Sequence, residues 1–65
     1  MTALYAPLGK FRAVGVDTYD GTDWVSGDFD DKATALIAAE KEGGTMLKTH
    51  VYDDKGKNVG SFGTF

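Results

Sequence analysis

The chain has no cysteine, one proline and one histidine. The first absence removes disulfide staples, thiolate metal sites and a cysteine nucleophile, and it accords with a reducing compartment. A single histidine excludes a histidine-rich metal cluster within one chain. No apolar run approaches the ~20 residues that span a bilayer. The N-terminus lacks a basic segment followed by a sustained apolar stretch, so no secretory signal is read there. Positive charge is also scarce: seven Lys and Arg face ten Asp and Glu, for a net charge of −3. That balance lacks the overall basic footprint usual for phosphate binding. The expectation is a soluble, cytoplasmic domain with no cofactor and no membrane association.

What remains is an ordinary globular composition, 42% hydrophobic and 12% aromatic in 65 residues. This is one domain, near the lower limit for a core that folds without staples. One stretch, 30–44, reads as a helix and organises the rest. Ala and Leu dominate its interior, and both are strong helix formers. Asp30 is expected as the N-cap, its carboxylate accepting from the first unpaired backbone N–H groups. Gly43-Gly44 is expected to stop the helix in the left-handed conformation. At 100° per residue Ala35, Ala39, Leu36 and the stem of Lys32 share one face, with Ala38 at its margin and Ile37 pointing away. Such a small-residued face must sit close to whatever it covers.

In chain order, residues 1–9 read as an N-terminal tail with some local contacts, Pro7 arguing against a central strand. Residues 10–65 form the α+β domain. The first strand, 10–19, is rich in residues of high strand preference. Phe11, Ala13 and Gly15 are placed under the helix, Gly15 as a point of close approach for a neighbour. Asp20-Gly21 reads as a tight hairpin turn to a second strand, 23–29, in which Gly27 marks a bulge or close packing. The third strand, 45–53, sends Leu47, Thr49 and Val51 one way and Met46, Lys48, His50 and Tyr52 the other. A polar turn around Gly56 leads to a fourth strand, 58–65, anchored by Val59 and Phe62 and weakened by glycines, hence an edge. Two hairpins flank a helical crossover, so the expected fold is ββαββ: a four-stranded antiparallel sheet of order 2-1-3-4 with one helix on one face. An arrangement in which the second hairpin extends away to join another copy stays open.

The run Phe29-Asp30-x-Lys32-x-x-Ala35-x-x-x-Ala39, followed by Val51-Tyr52-Asp53-x-x-Gly56, resembles small bacterial domains of the strand-strand-helix-strand-strand type. Among these it is similar to the family of unknown function numbered 2188. The resemblance covers roughly residues 11–62, on an aromatic, a capping residue, an alanine-rich helix and a Gly-turn hairpin, all general folding signals. The chain departs from it in an Asp-rich first turn and a glycine-rich ending. The resemblance implies the architecture and brings no catalytic residue with it.

The acids Asp17, Asp20, Asp23, Asp28, Asp30 and Asp31 invite a cation-binding reading. A calcium loop needs oxygen ligands at fixed offsets and a closing bidentate glutamate. Asp17-x-x-Asp20-Gly21-x-Asp23 has the glycine but neither the alternation nor the glutamate, so the acids read as a solvated turn and a helix cap, and no metal site is assigned. His50 lies in a strand with no second positioned group to make it an acid–base catalyst. Ser26 and Ser61 lack a nucleophile-elbow context, and the glycines form no phosphate loop. No catalytic residue is assigned, and an enzyme active within one chain is not expected.

The more informative constellation is the sheet face away from the helix. Arg12, Trp24, Lys48, His50 and Tyr52, with Val14, are placed there as an interaction face. One helix cannot cover both sides of four strands, and an apolar patch left open marks a protein contact or self-association. The alternative for the same aromatic and basic residues is stacking with single-stranded nucleic acid, which the net charge disfavours.

Overall fold

The computed structural model describes residues 5–63. Five elements follow one another: β1 (Phe11–Asp17), β2 (Asp23–Phe29), α1 (Lys32–Glu42), β3 (Leu47–Tyr52) and β4 (Asn58–Phe62). The strands make one sheet of order β2-β1-β3-β4, antiparallel at every pairing, with α1 packed on one face. This is the α+β arrangement predicted from the alternation of strand and helix patterns. The expected strand residues at 64–65 and the first four of the tail lie outside the described residues.

The core is small and dense. Ala13 of β1, Ala35 and Ala39 of α1 and Val51 of β3 are fully buried together, ringed by Phe11, Phe29, Leu36, Val59 and Phe62. Methyl-sized side chains on both partners let the helix axis come close to the sheet. Gly60 takes this furthest, because a Cβ there would collide with the Leu36 side chain. Thr49 is buried on the same face, and its hydroxyl donates to the Ala39 carbonyl at 2.7 Å, satisfying the one polar group placed in the contact. Lys32 is exposed and adds no stem to this face.

The helix begins one residue later than the residue pattern suggests. Asp31, not Asp30, is the N-cap, in an extended conformation, with its carboxylate accepting from the Thr34 N–H at 2.9 Å and the Thr34 hydroxyl at 2.7 Å. Asp30 instead pairs with Lys10 at 2.5 Å. The preceding β2 strand runs to Phe29, so Asp30 is needed to turn the chain out of the sheet before a helical residue is possible. At the other end Gly43 stops the helix without entering the left-handed region (φ −66°, ψ 146°), and its N–H donates to the Ala39 carbonyl at 2.9 Å. The positive φ falls on Met46 (64°) instead. Met46 sits inside a tight turn in which Gly44 and Leu47 exchange backbone hydrogen bonds of 2.9 and 3.2 Å, so it belongs to the turn and not to β3.

Each edge strand carries a β-bulge. In β2 the pairs Ala13–Gly27 and Val14–Val25 leave Ser26 as the extra residue. In β4 the pairs Val51–Gly60 and Tyr52–Asn58 leave Val59 as the extra residue. Side chains alternate across a strand, so one added residue reverses the facing of everything beyond it. The β4 bulge lets Val59 and Phe62, three residues apart, both pack on the helix side.

The β1–β2 connection is a longer loop than the expected two-residue turn. The Asp17 N–H donates to the Thr22 carbonyl at 2.8 Å, and Gly21 inside the loop takes φ 79°. The chain before β1 lies against the far end of the sheet: the Ala6 N–H donates to the Asp53 carbonyl at 2.9 Å, and the Gly9 N–H to the Asp54 carboxylate at 2.9 Å. Since Asp31 holds the first helical turn and Asp30 only a surface ion pair, Asp31→Ala is expected to lower the thermal midpoint by several degrees. Asp30→Ala is expected to lower it clearly less, in parallel thermal melts followed by circular dichroism.

Candidate functional site

The face of the sheet away from the helix is built from alternate residues of β1, β2 and β3, with the near end of β4. Direct pairing arranges them in three rows. Asp23, Val16 and Lys48 form the first; Val25, Val14, His50 and Ser61 the second; Asp28, Arg12, Tyr52 and Asn58 the third. Val14 is at the centre and only 1% exposed, although no helix covers it. It is sealed from solvent, whereas Val25 beside it remains 42% exposed.

Of the five residues assigned to this face from the sequence, Arg12, Lys48, His50 and Tyr52 are there. Trp24 is not. Its direct partner is Gly15, on the helix side, and the indole lies over that glycine: a Cβ at Gly15 would come within 2.6 Å of the ring. The close neighbour that Gly15 admits is therefore this indole and not the helix. The indole N–H donates to Glu42 Oε1 at 2.9 Å, and the Ser26 hydroxyl donates to the other oxygen of the same carboxylate. Glu42 thus ties the last turn of α1 to the edge strand. The cause of the reversal is the Ser26 bulge: counting back from Phe29 by strict alternation sends Trp24 outward, and the extra residue turns it inward and Val25 outward. The neighbouring Gly27 is the one local signal for that bulge.

The electrostatics of the face are largely balanced within it. Arg12 grips Asp28 through two nitrogens, Nε to Oδ1 at 2.8 Å and Nη2 to Oδ2 at 3.2 Å. That paired geometry holds the Asp28 carboxyl below its usual range and the guanidinium above its own, the hydrogen bond being the leading cause in both. His50 shares a 2.8 Å hydrogen bond through Nδ1 with the Ser61 hydroxyl. The Asn58 side chain reaches the same hydroxyl, its amide nitrogen donating at 3.2 Å and its oxygen accepting at 3.4 Å, so the imidazole tautomer sets which of His50 and Ser61 donates. Burial lowers the His50 pKa, and the Lys48 charge lowers it further. Tyr52 stands next along the strand, its ring tilted to the imidazole at 6.1 Å between centroids.

The described residues enclose no pocket and contain no group of three His, Asp or Glu side chains placed to hold a metal ion. The aspartates of the β1–β2 loop bind their own backbone. Asp17 accepts from the Tyr19 N–H at 2.9 Å, and Asp20 from the Thr22 N–H at 3.0 Å and its hydroxyl at 2.8 Å. These bonds to Thr22 hold the Asp20 pKa below its ordinary value. Asp53 does the same in the β3–β4 turn, accepting from the N–H groups of Lys55 and Lys57 at 2.9 and 2.8 Å. Among the described residues no helix is long and apolar enough to cross a membrane.

No family model matches the chain, and neither a curated protein nor a solved structure matches it. The residues of the open face therefore carry the functional argument by themselves.

Two outcomes follow from this geometry. Glu42→Ala removes the acceptor shared by Trp24 and Ser26; it is expected to cost about 1 kcal/mol and to shift tryptophan emission to longer wavelength, with Glu42→Gln intermediate. For His50, the folded state resists protonation while the unfolded imidazole titrates near 6.5. The unfolded chain thus binds more protons as pH falls below that value, and stability declines in that window until the folded imidazole also charges. Thermal melts at pH 7.5 and 5.5 should show a larger loss for the wild type than for His50→Gln, which keeps a polar partner for Ser61 and cannot titrate.

Proposed function

We propose that this domain is a protein-interaction module that makes its contact through the open face of the sheet. The observation that carries the reading is the partition of the two faces. The helix and the inward-turned aromatics Trp24, Phe11, Phe29 and Phe62 take one side, while on the other Val25, 42% exposed, and Val16 stand beside Tyr52 and His50 with no helix or strand of the described residues over them. An apolar strip rimmed by charged and polar groups is the anatomy of a protein contact. The stacking alternative loses its largest ring, Trp24, to the helix side. It also finds Arg12 held by Asp28, whereas a phosphate-binding surface needs cations available for counterion release.

The test is site-specific photo-crosslinking in a native host, with the reactive group placed at Val25 on the open face or at Ile37, 58% exposed on the outer face of the helix. Protein adducts are expected from position 25 and not from 37, and are expected to vanish in a Lys48→Glu background that retains the native melt. Equal adducts from both positions, or none from position 25, overturn the reading. Salt-steep binding of labelled single-stranded DNA or RNA, lost in Lys48→Ala, would replace it with the nucleic-acid surface.

A further inference from the structure

We infer that the chain's own N-terminal segment, residues 1–4 running on from Tyr5, lies over Val14 and is a cover that a partner of this face displaces. The displacement rests on the reading of the face as a protein contact; the cover does not.

The first argument is the burial of Val14. It stands at the centre of the face away from the helix with 1% of its surface exposed, and no helix or strand of the described residues lies over it. Side chains stand roughly perpendicular to a sheet, so those beside a valine screen its flanks and leave its tip to solvent. Val25, its direct partner on β2, is 42% exposed. A sealed tip calls for a layer above it.

The second argument is the course of the chain ahead of β1. The Lys10 N–H donates to the Pro7 carbonyl at 2.9 Å and Gly9 takes φ 75°, closing a turn of the type II kind that reverses the chain. Followed backwards from that turn, the chain heads in the direction of β1. Ala6 is fixed just beyond the end of β3, 3% exposed, with its N–H on the Asp53 carbonyl. The Gly9 N–H on the Asp54 carboxylate fixes the turn itself. Tyr5 comes next, and its charge adds to the larger effect of Asp28 in holding the Arg12 pKa up. Arg12 belongs to the face away from the helix, so the chain enters on that face.

The third argument is reach and composition. Val14 is two residues along β1 from Arg12, about 7 Å. The four residues ahead of Tyr5 span up to ~13 Å, and they include Met1, Ala3 and Leu4. The segment is long enough to pass Val14 and apolar enough to seal it. Its described anchorage is two backbone hydrogen bonds and one buried alanine, so lifting it is a local opening and not an unfolding.

The chain has no cysteine, so a single introduced thiol reports its own position. On the full chain, iodoacetamide is expected to label Val14→Cys at least about tenfold more slowly than Val25→Cys, independently of protein concentration. Leu4→Asp is expected to raise the rate at position 14 by about tenfold or more. It is not expected to raise the rate at Val51→Cys, a position buried on the helix side that reports global opening. Asp54→Ala, which frees the Gly9 N–H, is expected to act in the same way to a smaller degree. Equal rates at positions 14 and 25, or a rate at 14 that neither substitution changes, overturn the cover. Acceleration matched at position 51 in both variants also overturns it, because the segment then supports the whole fold. Slow labelling seen only at high concentration assigns the cover to a second copy instead. For the displacement, photo-adducts from position 25 are expected to rise severalfold in Leu4→Asp. Adducts that do not change overturn the displacement and leave the cover standing. Adducts absent from both chains overturn the contact reading and the displacement with it, while the labelling rates still decide the cover.

Discussion

The structure depends on one close contact, the approach of α1 to the sheet through Ala35 and Ala39. Their methyl groups meet Ala13 and Val51, Gly60 makes room for Leu36, and the Thr49 hydroxyl bonds the helix backbone at Ala39. Small side chains bury little area each, at roughly 0.8 kcal/mol per methylene. The contact therefore gains its strength from density and from the larger residues gathered around it. Phe11, Phe29, Leu36, Val59 and Phe62 reach it because the helix lies low enough for them to touch both layers. A bulkier residue at either alanine would lift the helix and open the ring.

The two bulges follow from the same constraint. A domain of 65 residues has few large apolar side chains to spend on the face that its helix covers. Strict alternation would send Trp24 and one of Val59 and Phe62 to the opposite side. One extra residue in each edge strand brings them to the helix, and Glu42 then secures the indole that results. The cost is local pairing at the edges, which lie where lost ladder bonds are met by water and where an irregular edge also discourages unwanted strand pairing.

This economy decides the character of the other face. With the large aromatics turned inward, it is left with valines, one tyrosine and one histidine, set among charges that are already matched. Arg12 and Asp28 neutralise each other, and the imidazole is kept neutral by burial and by its neighbour Lys48. The described residues of this face enclose no pocket. Asp23 and Asp28 lie on β2, Arg12 on β1 and Lys48 on β3. Such an arrangement suits recognition of a broad surface and offers no concavity for a small molecule.

The order of elements, the antiparallel sheet 2-1-3-4, the alanine face of the helix and the placement of Phe11, Ala13 and Gly15 on its side of the sheet were legible in the sequence. Each is set by local periodicity, propensity and chain connection, which a single chain displays directly. Four of the five open-face residues, Arg12, Lys48, His50 and Tyr52, were legible for the same reason, since β1 and β3 are central strands with unbroken alternation. What only the tertiary structure decided lies at the edges and ends. Asp31 takes the cap from Asp30 because the length of β2 sets where the helix begins, and Gly43 is extended because Met46 makes the turn into β3. Trp24 faces the helix because a bulge, stabilised by contacts between elements far apart in the chain, overrides the period of two. A bulge has no reliable signature beyond a nearby glycine, and its energy lies in the packing it permits rather than in the residues that form it.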